Sequence, residues 1–424
     1  MAVSPPPAPN PAAPPRSSWQ LLTDRTFGPW FWGNVASNSG NWLFNVTAAI
    51  VVFELSGSAL LVGMVSVAQF LPLVLLSPIA GAISDRVDRR RLLLASQAFA
   101  ATAATAIAVA AAVLGIDGLG GAWPVLAAAF GIGLGQAVAA PTLNALVPAL
   151  VDDQDLEGAI GLTSSTFNIG RALGPATSGV LLATVGAETA FIVNAASFLL
   201  LIVALLVIRT RPGPRGGGDR SVRAGLAFVR RTPVLWMALL GVGALGFAAD
   251  PMITLAPPLA AELDGGDTLV ATMVSSFGIA ASIAALWFGR LQQARDTLSI
   301  AAGASGVLAV GLTTVALAPV AGVAIAGFAV TGVGFVLGLA GLTTVMQRLT
   351  PDELRGRVMA LWTVAFLGNR PVAAAIDGAA ADLFGPRLAM ILAIAMALTA
   401  GWVAVRLRRD AGGQSRRTAS SGTA

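Results

Sequence analysis

Residues 59–114 read ALLVGMVSVAQFLPLVLLSPIAGAISDRVDRRRLLLASQAFAATAATAIAVAAAVL, two apolar runs joined by a short charged hinge. Each run is long enough to cross roughly 30 Å of hydrocarbon as a helix, which takes about 20 apolar residues. The hinge gathers Arg86, Arg89, Arg90 and Arg91 with Asp85 and Asp88. Two membrane-length helices joined by a basic turn form the elementary unit of a multi-span membrane protein.

Runs of this kind recur near 28–53, 59–83, 90–114, 122–147, 158–185, 188–208, 234–261, 268–289, 297–317, 319–346, 356–382 and 385–407. The expected fold is an all-α membrane protein with twelve transmembrane helices. Arginine sets the orientation, because cytoplasmic loops carry an excess of basic residues. With the N-terminus inside, 23 of the 26 arginines fall in inside segments, seven of them between Arg209 and Arg231. Arg387 lies in an outside loop, and Arg171 and Arg370 lie within spans. Both termini are therefore expected in the cytoplasm. The Ala-, Gly- and Arg-rich composition suggests a bacterial source, and hence a multi-pass protein of the inner membrane.

Pro/Ala-rich residues 1–18 and Ser/Gly/Arg-rich residues 410–424 are expected to be disordered tails. Residues 19–208 and 234–409 are expected to form two six-helix bundles, with residues 209–233 a cytoplasmic loop between them. No short apolar core with a small-residue cleavage site opens the chain, so no signal peptide is expected.

The composition agrees with lipid as the solvent. Of 424 residues, 56% are hydrophobic and only 11% charged, against about a quarter charged in soluble domains. The basic residues are all arginine, and His, Cys and Tyr are absent. Without Lys there is no Walker-A phosphate loop and no Schiff-base lysine. Without His or Cys the usual zinc, haem and iron–sulfur ligand sets are missing, so no metal and no cofactor are expected. No nucleophile–base constellation is present, and the chain is read as not an enzyme. The net charge of +5 is explained by basic inside loops, and no nucleic-acid partner is expected.

The two groups of six runs carry an internal repeat. Asp155-Leu156-x-Gly158 matches Glu353-Leu354-x-Gly356 at an offset of 198, as Gly170 matches Gly368. Arg171 then matches Arg370, Gly179 matches Gly378 and Gly186 matches Gly385 at 199. The halves are expected to be pseudo-symmetric.

These features resemble the major facilitator superfamily. The hinge Gly81-Ala82-Ile83-Ser84-Asp85-Arg86-Val87-Asp88-Arg89-Arg90-Arg91 is similar to its loop motif, with Asp88 where many members have glycine. The resemblance implies a cytoplasmic gate at Gly81, Asp85, Arg86, Arg89 and Arg90, the aspartate meeting a helix N-terminus and the arginines pairing across the halves. Gly170-Arg171-Ala172-Leu173-Gly174-Pro175-Ala176-Thr177-Ser178-Gly179 is similar to the antiporter motif, with Ser178 in place of a glycine. In it Gly170, Gly174, Pro175 and Gly179 would let helices approach closely and bend, and the motif implies export. Leu71-Pro72, Leu146-Val147-Pro148 with the acidic run to Glu157, and Pro351–Val358 resemble the bacterial multidrug, macrolide and siderophore exporters of that superfamily.

A charge at bilayer depth costs about 2.5–3.5 kcal/mol on insertion scales. Arg171 and Arg370 are thus candidates for recognising anionic or polar substrate groups, or for pairing with a proton-cycling carboxylate. Asp250, beside Pro251, and Asp377, two helical turns after Arg370, are the candidate proton carriers. Asn34, Asn38, Asn41 and Asn45 share one face of the first span, and with Gln136 and Asn144 they are candidate cavity-lining groups. The alternative for the asparagines is helix–helix hydrogen bonding.

The favoured reading is a monomeric proton-coupled antiporter that exports a small lipophilic or amphipathic compound. Its rivals are an importer of the same fold and a non-transporting membrane sensor or assembly partner. Partners are a small-molecule substrate, lipid and protons.

Overall fold

The computed structural model describes residues 16–84, 87–208 and 222–421. Asp85 and Arg86 of the hinge, residues 1–15 of the expected N-terminal tail, and much of the central loop lie outside that set. Long helices follow one another through the described residues. Spans 1 to 6 are Phe27–Ser56, Ala59–Ser84, Arg89–Leu114, Trp123–Leu146, Leu156–Thr184 and Gly186–Val207. Span 7 is broken into Pro233–Ala248, Pro251–Thr254 and Ala256–Glu262. Spans 8 to 10 are Asp267–Ala294, Thr297–Ala316 and Ala321–Leu349. Span 11 is broken into Asp352–Leu367 and Arg370–Phe384, and span 12 is Pro386–Ser421.

Ten of these stretches are long and apolar enough to cross a membrane. Spans 1 and 5 are as long but more polar, carrying the asparagine stripe and Arg171. Their neighbours leave large apolar side chains exposed, among them Val113, Leu206, Leu286 and Leu383. Such a surface is stable only against lipid. Exposed Trp19, Trp123, Trp287 and Trp402 suit the level of the headgroups, where tryptophan concentrates.

The repeat detected in the sequence reappears in the backbone. Gly186 and Gly385, one repeat apart, turn the chain between spans 5 and 6 and between spans 11 and 12, with φ of +86° and +87°. Glycine alone adopts that region without a Cβ clash. Gly179 and Gly378 are likewise equivalent, and each lets its span press on the opposite half. A Cβ on Gly179 would stand 2.7 Å from Ala271 Cβ of span 8, and one on Gly378 would stand 2.5 Å from the Ala59 carbonyl oxygen of span 2.

The hinge aspartate that departs from the loop motif has a structural role. Asp88 is the N-cap of span 3, its carboxylate accepting from the Arg91 amide at 2.8 Å. Asp296 caps span 9 in the same way, accepting from the Ser299 amide at 3.0 Å. An N-cap carboxylate satisfies an orphan amide and faces the positive end of the helix.

Where the structure differs from expectation, proline and helix propagation explain it. Span 7 breaks at Ala249–Asp250 and again at Leu255, ahead of Pro251 and of Pro257–Pro258. Span 11 breaks at Gly368–Asn369, where Pro371 removes the amide that would bond the Leu367 carbonyl. Pro175 lies inside span 5 without ending it. The central stretch expected as a loop contains a helix, Val222–Arg231, whose Val229 and Phe228 pack on the core. Span 12 continues through the stretch expected as a tail, to Ser421, because extending a formed helix costs far less than nucleating one.

At the face opposite the chain termini the two halves are bolted together. The Asp382 carboxylate, at the end of span 11, accepts from Ser58 Oγ at 2.6 Å and from the amides of Ala59 at 2.6 Å and Leu60 at 3.2 Å. It thereby caps the start of span 2 in the other half. Asp382→Ala removes a cap worth about 1 kcal/mol, shifting the balance toward opening of this face by about five-fold. The chain has no native cysteine, so a spin-label pair at Asp117→Cys and Thr268→Cys reads that distance directly. A longer-distance population should grow in the Asp382→Ala protein; an unchanged distribution would refute the bolt.

At the terminal face Arg16 ties the N-terminal segment to span 5. Its backbone amide and Nε both donate to the buried Asp155 carboxylate, at 2.7 and 2.6 Å, and Nη1 donates to Asp24 at 2.9 Å. The bonds from Arg16 hold the Asp155 carboxyl below its usual range. Burial works against Asp24, but the Phe27 and Thr26 amides and Arg16 bring its carboxyl below the usual range as well. Carboxylates so depressed stabilise the docked segment above about pH 4, and that contribution is lost as pH falls through their folded values. A spin label at Ser17→Cys should stay immobile from pH 8 to 5 and loosen only on stronger acidification. In an Asp155→Ala protein it should be mobile throughout.

Candidate functional site

A cavity lies at the seam between the halves, walled by spans 1, 5, 7, 8, 10 and 11. Its lining is mainly apolar and aromatic, with Trp42, Phe167, Phe277, Phe335 and Phe366 around Arg171 and Arg370. The two arginines that the repeat relates thus meet in one space. Both are buried, Arg171 at 6% exposure and Arg370 at 8%.

Each arginine stacks on the opposite half. The Arg171 guanidinium, from span 5, lies 5.2 Å from the ring centre of Phe335 in span 10. The Arg370 guanidinium, from span 11, lies 4.6 Å from Phe70 in span 2 and 5.6 Å from Trp42 in span 1. A cation within about 6 Å of a ring gains up to about 2 kcal/mol or more when desolvated. This is how the membrane interior tolerates the two charges, and it couples the halves through a reciprocal pair of contacts.

Two carboxylates complete the site. Asp250 sits at the break in span 7 and is 1% exposed; its Oδ2 accepts from Thr254 Oγ1 at 2.7 Å, while its Oδ1 lies 3.9 Å from Arg370 Nε. Asp377, in span 11, is fully buried, and neither of its oxygens has a hydrogen-bond donor among the described residues. It lies within electrostatic reach of Asp250. Arg370 therefore pairs with Asp250 rather than with Asp377, as the axial gap of two turns along span 11 requires. The break in span 11 is held by Asn369, whose Nδ2 donates to the Gly243 carbonyl of span 7 at 2.7 Å.

None of the four asparagines of the stripe is among the residues that line the cavity. Asn34 Nδ2 donates to Thr166 Oγ1 of span 5 at 3.2 Å, and Asn38 Nδ2 donates to Asn34 Oδ1 at 3.1 Å. Asn45 Nδ2 donates to the Asn41 carbonyl at 2.9 Å, and Asn41 Oδ1 has no donor. These bonds serve the close contact of spans 1 and 5, which Gly170 and Gly174 permit: a Cβ on Gly170 would lie 2.8 Å from Asn38 Cβ, and one on Gly174 would collide with Trp42. Gln136 is half-buried in span 4, and the side chain of Asn144 lies outside the described residues.

In the hinge, Gly81 belongs to the last turn of span 2. Arg89 Nη1 donates to the Ala145 carbonyl at 3.1 Å, and Arg90 donates through Nε and Nη2 to the Leu205 and Leu206 carbonyls at 2.6 and 2.8 Å. These bonds lie within the first half; Asp85 and Arg86, to which the resemblance assigns part of the gate, lie outside the described residues. Guanidinium groups at the carbonyl ends of spans 4 and 6 satisfy orphan acceptors and the negative end of the helix dipole.

Sequence reasoning missed three features of this architecture. Asp382 carries no motif, and nothing in the sequence singles it out. Phe70, Trp42 and Phe335 are aromatic residues in apolar spans, and only the fold shows that they face arginines. Arg16 counted toward the positive-inside bias, yet its pairing with the acidic run before span 5 was visible only as opposite charge.

The comparisons with known proteins agree with this architecture. Residues 16–421 match the family model described as transmembrane secretion effector, of the major facilitator superfamily. The chain is 29% identical over 392 residues to the multidrug efflux pump Tap of Mycolicibacterium fortuitum, covering 88% of this chain and 94% of that protein. It is 27% identical over 345 residues to the enterobactin exporter EntS of Shigella boydii, covering 78% and 76%. Among solved structures, a bacterial homologue of the iron transporter ferroportin in its inward-facing state matches with a TM-score of 0.72 at 17% identity, over 92% of this chain and 99% of that one. The same homologue in its outward-facing state gives 0.58, over 90% and 99%. With a model matched over nearly its whole length, the chain belongs to the transmembrane secretion effector family of the major facilitator superfamily, whose members are membrane transporters and not enzymes.

Proposed function

We propose that this transporter exports a small amphipathic compound from the bacterial cytoplasm in exchange for protons, with the central cavity as its substrate site. The observation that carries the reading is the Asp250–Arg370 pair, buried in the seam beside the unpartnered Asp377. The efflux roles in the names of Tap and EntS support the direction of transport, as does the resemblance of Gly170–Gly179 to the antiporter motif. The arginine distribution favours cytoplasmic termini, which would make the face bolted by Asp382 the external one. Residues 19–208 and 234–409 are the two bundles that rock about the cavity.

The coupling follows from what Arg370 touches. It belongs to the second half, is anchored by stacking to Phe70 and Trp42 of the first, and is drawn toward Asp250 of its own half. A proton on Asp250 removes the charge that draws it, which changes the balance of contacts between the halves. Protonation thereby biases which face is open, the requirement for a proton to drive a conformational cycle. Asp377, with two oxygens free of donors, offers a second proton site next to the first. No step needs a nucleotide or a metal.

Neutralising each carboxylate tests the assignment. In proteoliposomes, Asp250→Asn should abolish acceleration of transport by an imposed pH gradient, a loss of about tenfold or more, while exchange without a gradient persists. Asp377→Asn should reduce the gradient response in the same assay. Coupled transport unchanged in both variants would remove these residues from the proton path.

A further inference from the structure

The cavity's charges do not cancel locally. Arg370 has Asp250 at 3.9 Å, whereas Arg171 has no carboxylate within ion-pair distance and no hydrogen-bond acceptor among the described residues. It lies over the face of Phe335, and only 6% of it is exposed. A guanidinium offers five N–H donors in a planar fork suited to two oxygens of one anion. Stacking on a ring leaves the in-plane N–H groups unused. Arg171 lines the cavity, which can receive them.

The surroundings of that fork define a ligand. Phe167, Phe277, Phe335 and Phe366 supply apolar and aromatic walls, and Trp42 closes the side toward Arg370. Pockets of this kind fix orientation by one or two polar anchors and gain affinity from the apolar wall. A compound with a delocalised oxyanion, such as a carboxylate, sulfonate or acidic phenol, on an aromatic or otherwise flat apolar body would fill both needs. It would bring the two oxygens that Arg171 lacks and lay its body against the rings. A cationic amphiphile would meet Arg171 and Arg370 as like charges in a low-dielectric space, where repulsion is strongest.

We infer that the transported compound is an organic anion with an aromatic or flat apolar body, and that Arg171 is the residue that selects its charge. This inference rests on the reading of the central cavity as the transport site. It assigns Arg171 and Arg370 separate tasks: Arg370 answers to Asp250 and the proton, and Arg171 answers to the cargo.

Three matched fluorescent probes of one ring system test it: naphthalene-2-sulfonate, naphthalene-2-sulfonamide and a naphthylmethyl-trimethylammonium ion. Protein-dependent flux of each is measured in proteoliposomes of the full chain under the same pH gradient and membrane potential. The expected result is transport of the sulfonate at least tenfold faster than of the sulfonamide, with no transport of the cation. Arg171→Gln should bring the sulfonate-to-sulfonamide ratio close to one, and Arg171→Lys, which keeps the charge but loses the fork, should give a ratio between those of Arg171→Gln and the unaltered protein. Should the glutamine variant fail to assemble, the preference of the unaltered protein decides alone. Faster movement of the sulfonamide or the cation would overturn the anion assignment while leaving export intact. A ratio unaffected by Arg171→Gln would remove Arg171 from the selection. Absence of protein-dependent flux for all three would count against the transport reading itself.

Discussion

The constraint on which this structure depends is the cost of holding charge inside a hydrocarbon slab. Two guanidinium groups sit near the middle of a protein that is otherwise almost free of charge within its spans. Both are buried, and among the described residues only Arg370 has a carboxylate within ion-pair distance. Each is instead laid on an aromatic ring of the other half. The stabilisation of both charges thus exists only while the halves stand in register. An interaction that would be a local detail in a soluble protein becomes, in lipid, a term in the equilibrium between conformations.

Close approach of the backbones makes that register possible. In a membrane, helices gain little from the hydrophobic effect when they associate, so packing and small residues decide where they meet. Gly179 against Ala271 and Gly378 against Ala59 are the same solution used twice, once in each direction across the pseudo-two-fold axis. Near the second of these contacts Asp382 caps the first turn of span 2. The face away from the termini is therefore closed by backbone contact and a cap together. At the other face Arg16, Arg89 and Arg90 bond a carboxylate and helix-end carbonyls of the first half.

Much of this was legible in the sequence, for definite physical reasons. Membrane-length apolar runs and the arginines between them follow from the solvent, and their spacing alone yields the span order. The repeat was legible because it rests on residues with no substitute: glycine at positive φ for Gly186 and Gly385, glycine at crossings for Gly179 and Gly378. Arg171 and Arg370 stood out because charge within a span is rare. What could not be read were contacts between residues far apart in the chain and individually ordinary. Phe335 resembles any other phenylalanine of span 10, and Asp382 resembles any aspartate near a helix end. The asparagines of span 1 were legible as a polar face, but their hydroxyl and carbonyl partners on spans 1 and 5 were not.

The breaks in spans 7 and 11 show why the site lies where it does. Pro251 and Pro371 stand at related depths in facing helices, and each disrupts the turn before it. Backbone freed in this way is tolerated at membrane depth only where protein or a cavity receives it. Asn369 answers part of the demand by bonding the Gly243 carbonyl across the gap. Asp250 and Arg370 occupy the two broken turns themselves, so the ionisable pair is mounted on the parts of the bundle least bound into continuous helix. In the proposed coupling, a proton on Asp250 would act at the break itself. Charge and flexibility coincide because the same prolines that unwind the helices create the polar room that the charges need.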